Sequence, residues 1–308
     1  MNNTDNIPDY DFCASHDFYG HMACPGCGEK ILLRHVLDVL GPETVIVCPA
    51  GCAAVTDGIF PYSISPVAFL HVPFGATASA AAGVRAGLDR SGRKEVTVIA
   101  WAGDGATFDI GMGALSAVAE RNENILYLCY DNEAYMNTGI QRSSATPIES
   151  WTTTTPPGRL KAEPKKNIHF IMASHKVPYV ATCSPAFIDD LRLKVSRARD
   201  IGGFRFLHLL SPCPPGWKAD PKDSIALARL AVECNLFPLF EIEGGVKYTL
   251  SYQSQSLPVS EYAKLQGRFR YVSEEGEKLL QSEADQLYDT LVSLHNAGSQ
   301  SKTSAEEQ

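Results

Sequence analysis

Apolar, β-branched runs alternate along this chain with stretches whose apolar residues recur at helical spacing. Residues 44–48 (T-V-I-V-C) form a short continuous apolar run that predicts a buried strand. Residues 95–101 (E-V-T-V-I-A-W), 124–130 (N-I-L-Y-L-C-Y) and 204–210 predict further strands. Between and after them lie predicted helices over 76–88, 110–121, 186–199 and 223–235, and a β pair near 238–250. The 76–88 segment is rich in Ala and Gly, which would let a helix pack closely on a sheet. Strands alternating with helices predict crossover units, hence an α/β fold: an open parallel sheet with helices on both faces. No fixed-period repeat interrupts this order, so a single domain is expected over residues 1–295. The polar segment 296–308 carries no apolar periodicity and is expected to fray. The Pro/Thr/Lys-rich stretch 146–166 is a long connection, of the kind that is functional or mobile, with its lysines at 161–166 on a solvated face.

Composition narrows the picture. The chain has 308 residues, is 44% hydrophobic and 20% charged, and carries a net charge of −8. That acidity argues against nucleic acid as the main partner, since phosphate binding needs a basic face. No apolar run reaches the ~18 residues of a membrane helix; the most apolar stretch, 67–88, is broken by His71, Pro73 and Arg85. Residues 1–12 are polar and acidic, without a charged-then-apolar signal pattern, and a cytoplasmic protein is expected. Nine cysteines are many for such a chain, and in a reducing compartment clustered cysteines point to metal binding or catalysis.

Two constellations carry chemistry. Gly103-Asp104-Gly105-Ala106 follows a predicted strand and precedes a helix, where ligands of open parallel sheets bind. Glycine lets the backbone approach a phosphate, and Asp104 is a hard oxygen ligand suited to Mg²⁺. The next strand ends at Asp131-Asn132, offering a second oxygen ligand. The other constellation is Cys24-Pro25-Gly26-Cys27, with Cys52 just after a strand and Cys213 in Ser211-Pro212-Cys213-Pro214-Pro215-Gly216-Trp217. Four such thiolates can close a tetrahedral sulfur shell around zinc or hold an iron–sulfur cluster. A thioredoxin-like dithiol lacks its surrounding segment here. Of the remaining cysteines, Cys13, Cys48, Cys129, Cys183 and Cys234, Cys48 and Cys129 fall in apolar strands as small hydrophobes. His71, His169, His175 and His208 lie beside apolar runs and read as structural.

Gly103-Asp104-Gly105, a helix, and a strand ending in Asp131-Asn132-Glu133-Ala134-Tyr135 resemble the thiamine diphosphate signature. The extension Tyr135-Met136-Asn137-Thr138-Gly139-Ile140-Gln141-Arg142-Ser143 resembles one branch of it, the 2-oxoacid:ferredoxin oxidoreductases, and in particular their thiamine-binding β subunits of pyruvate or oxalate type. The resemblance runs from His21 to Tyr271 and takes in Thr152-Thr153-Thr154-Thr155-Pro156 and the segment 177–182. It implies thiamine diphosphate bound at Gly103, Asp104, Gly105 and Ala106, with Mg²⁺ held by Asp104, Asn132 and the Ala134 carbonyl. It places Asn137 beside the reacting carbons as the catalytic residue. It also implies a [4Fe–4S] cluster on Cys24, Cys27, Cys52 and Cys213, because zinc has no redox chemistry to offer an oxidative reaction. Glu29 and the loop bearing Cys52 would touch the cofactor.

The same resemblance implies oxidative decarboxylation of a 2-oxoacid, pyruvate first, with coenzyme A taking the acyl group and ferredoxin the electrons. The glutamate that activates the cofactor and the arginine that grips the substrate would come from other subunits of a complex. Pro147-Ile148-Glu149-Ser150-Trp151 replaces the small Gly-Ala pair usual before the threonine run, which keeps oxalate, needing no coenzyme A, in view. The rival readings are a non-redox thiamine enzyme with structural zinc and a non-catalytic scaffold docking through residues 146–166.

Overall fold

All the strands expected between residues 44 and 210 are present in the computed structural model, which describes residues 21–58, 63 and 65–306; Cys13 lies outside them. The strands are β1 (Thr44–Pro49), β2 (Ala68–Val72), β3 (Thr97–Gly103), β4 (Leu126–Asp131), β5 (Tyr179–Cys183), β6 (Arg205–Leu210), β7 (Phe240–Glu243) and β8 (Lys247–Leu250). They form one eight-stranded sheet in the order β2-β1-β3-β4-β6-β5-β7-β8. The first six in that order run parallel, and β7 and β8 close one edge antiparallel. The β7–β8 hairpin turns on Gly244 and Gly245 (φ +59° and +77°), a pair of left-handed conformations that favour glycine. A Cβ on Gly245 would also meet the Ala173 carbonyl at 2.2 Å.

Helices α1 (Gly28–Leu40), α2 (Cys52–Asp57), α3 (Thr77–Arg90), α4 (Met112–Glu120), α5 (Ile168–Ser174), α6 (Ile188–Asp200), α7 (Pro214–Trp217), α8 (Ser224–Glu233), α9 (Val259–Ala263) and α10 (Glu274–Glu306) complete the chain. Strand side chains point alternately to the two faces, and both faces are covered. Leu126, Leu128 and Tyr130 of β4 join Leu32 and Val36 of α1 and Leu191 and Val195 of α6 in one core. Tyr127 and Cys129 face the opposite core with Ala78 and Ala81 of α3, Leu115 of α4 and Met172 of α5. All six β4 residues are therefore buried. Each large apolar side chain so buried contributes roughly 1.5–3 kcal/mol. A third core, built on Trp217, Leu227, Tyr262, Phe269 and Leu280, gathers α7 to α10 beside the sheet.

Helix α10 runs on to Glu306. One expectation is corrected. The lysines of 161–166 do not share a solvated face. Lys161 is 1% exposed, with Nζ donating to the Glu163 and Pro164 carbonyls. Lys165 pairs inward with Asp131 and Glu133, because these buried carboxylates need a countercharge. The 146–166 connection is packed, with Thr146, Ser150, Thr152 and Lys161 all buried. Among the described residues no helix is long and apolar enough to cross a membrane.

Candidate functional site

The strands β1, β3, β4 and β6 are four neighbours in the sheet, all parallel. Neighbouring strands lie ~4.8 Å apart, so their carboxyl ends deliver four loops to a single rim. Cys52 follows β1, Gly103 ends β3 and Asp104 to Ala106 follow it, Asn132 to Ala134 follow β4, and Cys213 follows β6. Between them lies a cavity of about 140 Å³. Gly103, Asp104, Gly105, Ala106, Asn132, Ala134, Cys52 and Asn137 all line it, so the structure brings together eight of the residues singled out above. Phe74, Tyr130, Tyr135 and Met136 add apolar wall. Gly105 is required by space: a Cβ there would meet the Tyr135 ring at 2.6 Å. Residues Gly105–Ile110 take a π-helical turn before α4, a distortion often found at functional sites.

Three oxygens converge in this cavity. The Asn132 amide oxygen lies 3.0 Å from Asp104 Oδ1 and 2.8 Å from the Ala134 carbonyl oxygen, and no donor stands between them. Turning the amide over would let its nitrogen donate to both, so the oxygen-inward arrangement needs a cation. Octahedral Mg²⁺ with oxygens at 2.0–2.1 Å sets adjacent ligands about 2.9 Å apart. The residues fit that ion. Burial, and after it the charge of Asp131, pushes the Asp104 carboxyl well above its usual range, a penalty that a divalent cation relieves. Ser143 Oγ donates to the other Asp104 oxygen.

Beneath the metal loop runs a buried chain of charges. Glu133 sits at φ +68°, which splays its neighbours Asn132 and Ala134 toward one point. Its carboxylate pairs with Lys165 at 3.0 Å and with Arg268 at 2.7 Å, and its carbonyl accepts from Thr146 Oγ1 at 2.6 Å. Burial alone would raise the Asp131 carboxyl, but Lys165 at 2.6 Å and His208 at 2.7 Å outweigh it and hold it below the usual carboxylate range. His208 in turn contacts His169 at 2.7 Å. Burial lowers both imidazoles, so His169 donates to His208 and His208 to Asp131, leaving the buried His169 Nδ1 unpaired. Both histidines are buried within this chain of contacts.

The cysteines divide as the sequence does. Cys48, Cys129, Cys183 and Cys234 are buried in the cores, and no described cysteine is in a disulfide. Cys24, Cys27, Cys52 and Cys213 are neighbours at the rim. Burial raises the Cys52 thiol to about 12, helped by the charges of Cys213 and Cys27. Cys213 also rises to about 12, first through burial and then through Cys27 and Cys24. The Gly28 amide donates to the Pro212 carbonyl at 3.0 Å, locking the first cysteine loop onto the last. Backbone amides of Glu29 and Lys30 reach Cys27 and that of Gly216 reaches Cys213, and four thiols so grouped fit a sulfur-ligated group. Among the described residues no three His, Cys, Asp or Glu side chains close on a single ion; an iron–sulfur cube spreads its ligands by its own bulk.

Glu29 stands one layer behind the cavity wall. It is 2% exposed, accepts from Trp101 Nε1 at 2.8 Å through Oε1, and pairs through Oε2 with the Lys30 ammonium at 3.4 Å. Cys24, Cys27 and Cys213 likewise lie outside the cavity lining, which only Cys52 enters.

Residues 50–209, half of the chain, match the family of thiamine pyrophosphate enzymes, C-terminal TPP-binding domain. Pyruvate synthase subunit PorB of Methanothermobacter marburgensis is 45% identical over 289 residues, 92% of this chain and 99% of that protein. Ketoisovalerate oxidoreductase subunit VorB of Pyrococcus horikoshii is 43% identical over 288 residues, 90% and 92% of the two chains. The chain belongs to the 2-oxoacid:ferredoxin oxidoreductase β subunits. A solved 2-oxoglutarate:ferredoxin oxidoreductase from Magnetococcus marinus shares the fold, with a TM-score of 0.54, 22% identity, and coverage of 74% of this chain and 82% of that one.

This oxidoreductase β subunit is thus part of a larger complex and carries a thiamine diphosphate-binding domain. Sequence reasoning about the β subunit missed two residues that shape its site. Ser143 and Trp217 both fell inside quoted motifs, but nothing local showed that one donates to Asp104 and the other, through Nε1, to the Asn132 carbonyl at 2.9 Å. The Pro147-to-Trp151 departure does not touch the cavity: Ile148 is buried against α8 and α9, and Trp151 lies under Lys218.

Proposed function

We propose that this β subunit binds Mg²⁺ through Asp104, Asn132 and the Ala134 carbonyl, thiamine diphosphate along Gly103 to Ala106, and a [4Fe–4S] cluster through Cys24, Cys27, Cys52 and Cys213. Together with its partner subunits it oxidatively decarboxylates a small 2-oxoacid in the cytoplasm, pyruvate foremost, passing electrons to ferredoxin and the acyl group to coenzyme A. The observation that carries the reading is the convergence of three oxygens in a cavity whose wall also bears Cys52. When bound, thiamine diphosphate supplies a carbanion and electron sink, and the cluster a one-electron acceptor.

The chain's own residues bind and orient. Asp104, fixed by Ser143, presents negative charge to the ion that neutralises a diphosphate. Phe74, Tyr130 and Met136 keep water from the reacting end, and Asn137, exposed at the mouth, offers amide groups to a substrate carboxylate or carbonyl. Glu29, with one oxygen anchored by Trp101 and the other paired with Lys30, backs the cavity wall. Within the described cavity lining Asp104 is the one carboxylate, and its place is on the metal. The activating glutamate and the substrate arginine therefore fall to partner subunits.

The aliphatic substrates in the names of the relatives PorB and VorB support pyruvate over oxalate. The test is a substrate panel on the complex purified anaerobically, following ferredoxin reduction with pyruvate, 2-oxoisovalerate, 2-oxoglutarate and oxalate, with and without coenzyme A. Coenzyme A-dependent reduction, fastest with pyruvate, is expected. Reduction by oxalate without coenzyme A, or by none of the four, would overturn the proposal.

A further inference from the structure

The fourth cysteine loop and the metal loop are joined by the Ser211 amide, which donates to the Asp131 carbonyl at 2.8 Å, and by one large buried side chain. Trp217, fully buried at the end of α7, receives its position from Cys213, whose carbonyl accepts from the Trp217 backbone amide at 2.8 Å. Its indole Nε1 donates to the Asn132 carbonyl at 2.9 Å. The Arg268 guanidinium lies 4.3 Å over the Trp217 ring and pairs with Glu133 at 2.7 Å. Trp217 thus holds the Asn132 carbonyl and Arg268 the Glu133 carboxylate, on either side of the left-handed Glu133 that aims the metal oxygens. The same loop packs against the cavity wall: a Cβ on Gly216 would strike Met136 Sδ at 2.2 Å and lie 3.4 Å from Cys213 Sγ.

We infer that Trp217, backed by Arg268, is a positioning residue that couples sulfur ligation at Cys213 to metal and diphosphate binding at Asn132. The inference rests on the proposed function. When Cys213 is held by its cluster, α7 is fixed and the indole holds Asn132 in its metal-binding arrangement. When Cys213 is released, the indole loses its alignment and the Asn132 amide is free to turn over. The coupling is reciprocal, as linkage requires, so metal at Asn132 also steadies the Cys213 loop.

The test is a double-mutant cycle on the whole complex, purified anaerobically, reading the Mg²⁺ concentration that half-saturates thiamine diphosphate binding by equilibrium dialysis, together with iron content. Trp217→Phe keeps the ring under Arg268 and removes one hydrogen bond, so it should raise the Mg²⁺ midpoint about three- to ten-fold with iron unchanged. Cys213→Ser should raise it by a similar factor. In the double variant the two should not multiply, because both act through one link. An unchanged midpoint in Trp217→Phe, or effects that multiply, would overturn the inference. Should Trp217→Phe fail to assemble, Arg268→Lys, which keeps the charge on Glu133 but loses the flat contact with the indole, is read in the same cycle with the same expectation. A wild-type complex that bound no thiamine diphosphate or held no iron would instead defeat the proposed function, before any variant is compared.

Discussion

Asp104 is a buried carboxylate with Ser143 on one oxygen and the Asn132 amide oxygen 3.0 Å from the other. Without a cation that arrangement is costly, and with one it becomes a ligand set. Asp104→Asn should therefore abolish Mg²⁺-dependent thiamine diphosphate binding, by about 100-fold or more, while the metal-free thermal midpoint holds or rises. Titration with cofactor and a melting curve check both halves. The cysteines allow a sharper contrast. Cys213→Ser should lose most of the iron, whereas Cys234→Ser, whose thiol is buried in a core and donates to the Pro258 carbonyl at 3.3 Å, should keep it. Equal losses would break the ligand assignment. Alkylation of the metal-free protein should start at the exposed Cys24 and lag at Cys52 and Cys213, whose thiols sit near 12.

Among the elements, β1, β3, β4 and β6 were legible because burial on both faces writes an unbroken apolar run. The loops at their ends were legible because metal ligands and strand ends are local in sequence. What escaped was long-range or masked by other signals. Trp217 reaches Asn132 across 85 residues, and Lys165 and Arg268 meet at Glu133 with no spacing rule to announce them. The edge strand β2 runs into the small-residue stretch that leads to α3, so no alternation marked it. Gly105→Ala tests the turn after β3. Its Cβ would force the Tyr135 ring back, costing about 1–3 kcal/mol of stability and narrowing the cavity. Thiamine diphosphate affinity should fall at least as much as that strain implies; unchanged affinity would place the cofactor elsewhere.

For the molecule as a whole, the cavity is furnished for binding and only half furnished for reaction. The isolated chain, reconstituted with iron, sulfide, Mg²⁺ and thiamine diphosphate, should reduce no ferredoxin with any 2-oxoacid until its partner subunits are added. Its metal-free form should also be alkali-sensitive. The thiols of Cys27, Cys52 and Cys213, ordinarily near 9, are raised to about 11 or 12, chiefly by burial. Their contribution to stability is full below pH 9 and is lost as the pH rises toward 11 to 12, since the unfolded chain releases those protons first. Cluster assembly must displace the same protons, so its yield should rise with pH over the range where the fold holds. Urea midpoints and iron uptake across that range check both trends.

The account stands on two groups sharing one rim of the sheet, and anomalous diffraction at the iron edge from anaerobically grown crystals of the complex with Mg²⁺ and thiamine diphosphate tests it most directly. It predicts an iron peak enclosed by Cys24, Cys27, Cys52 and Cys213, with diphosphate density over Gly103 to Ala106 and a small cation between Asp104, Asn132 and the Ala134 carbonyl. A zinc signal at the cysteines, or cofactor density away from that turn, would contradict it.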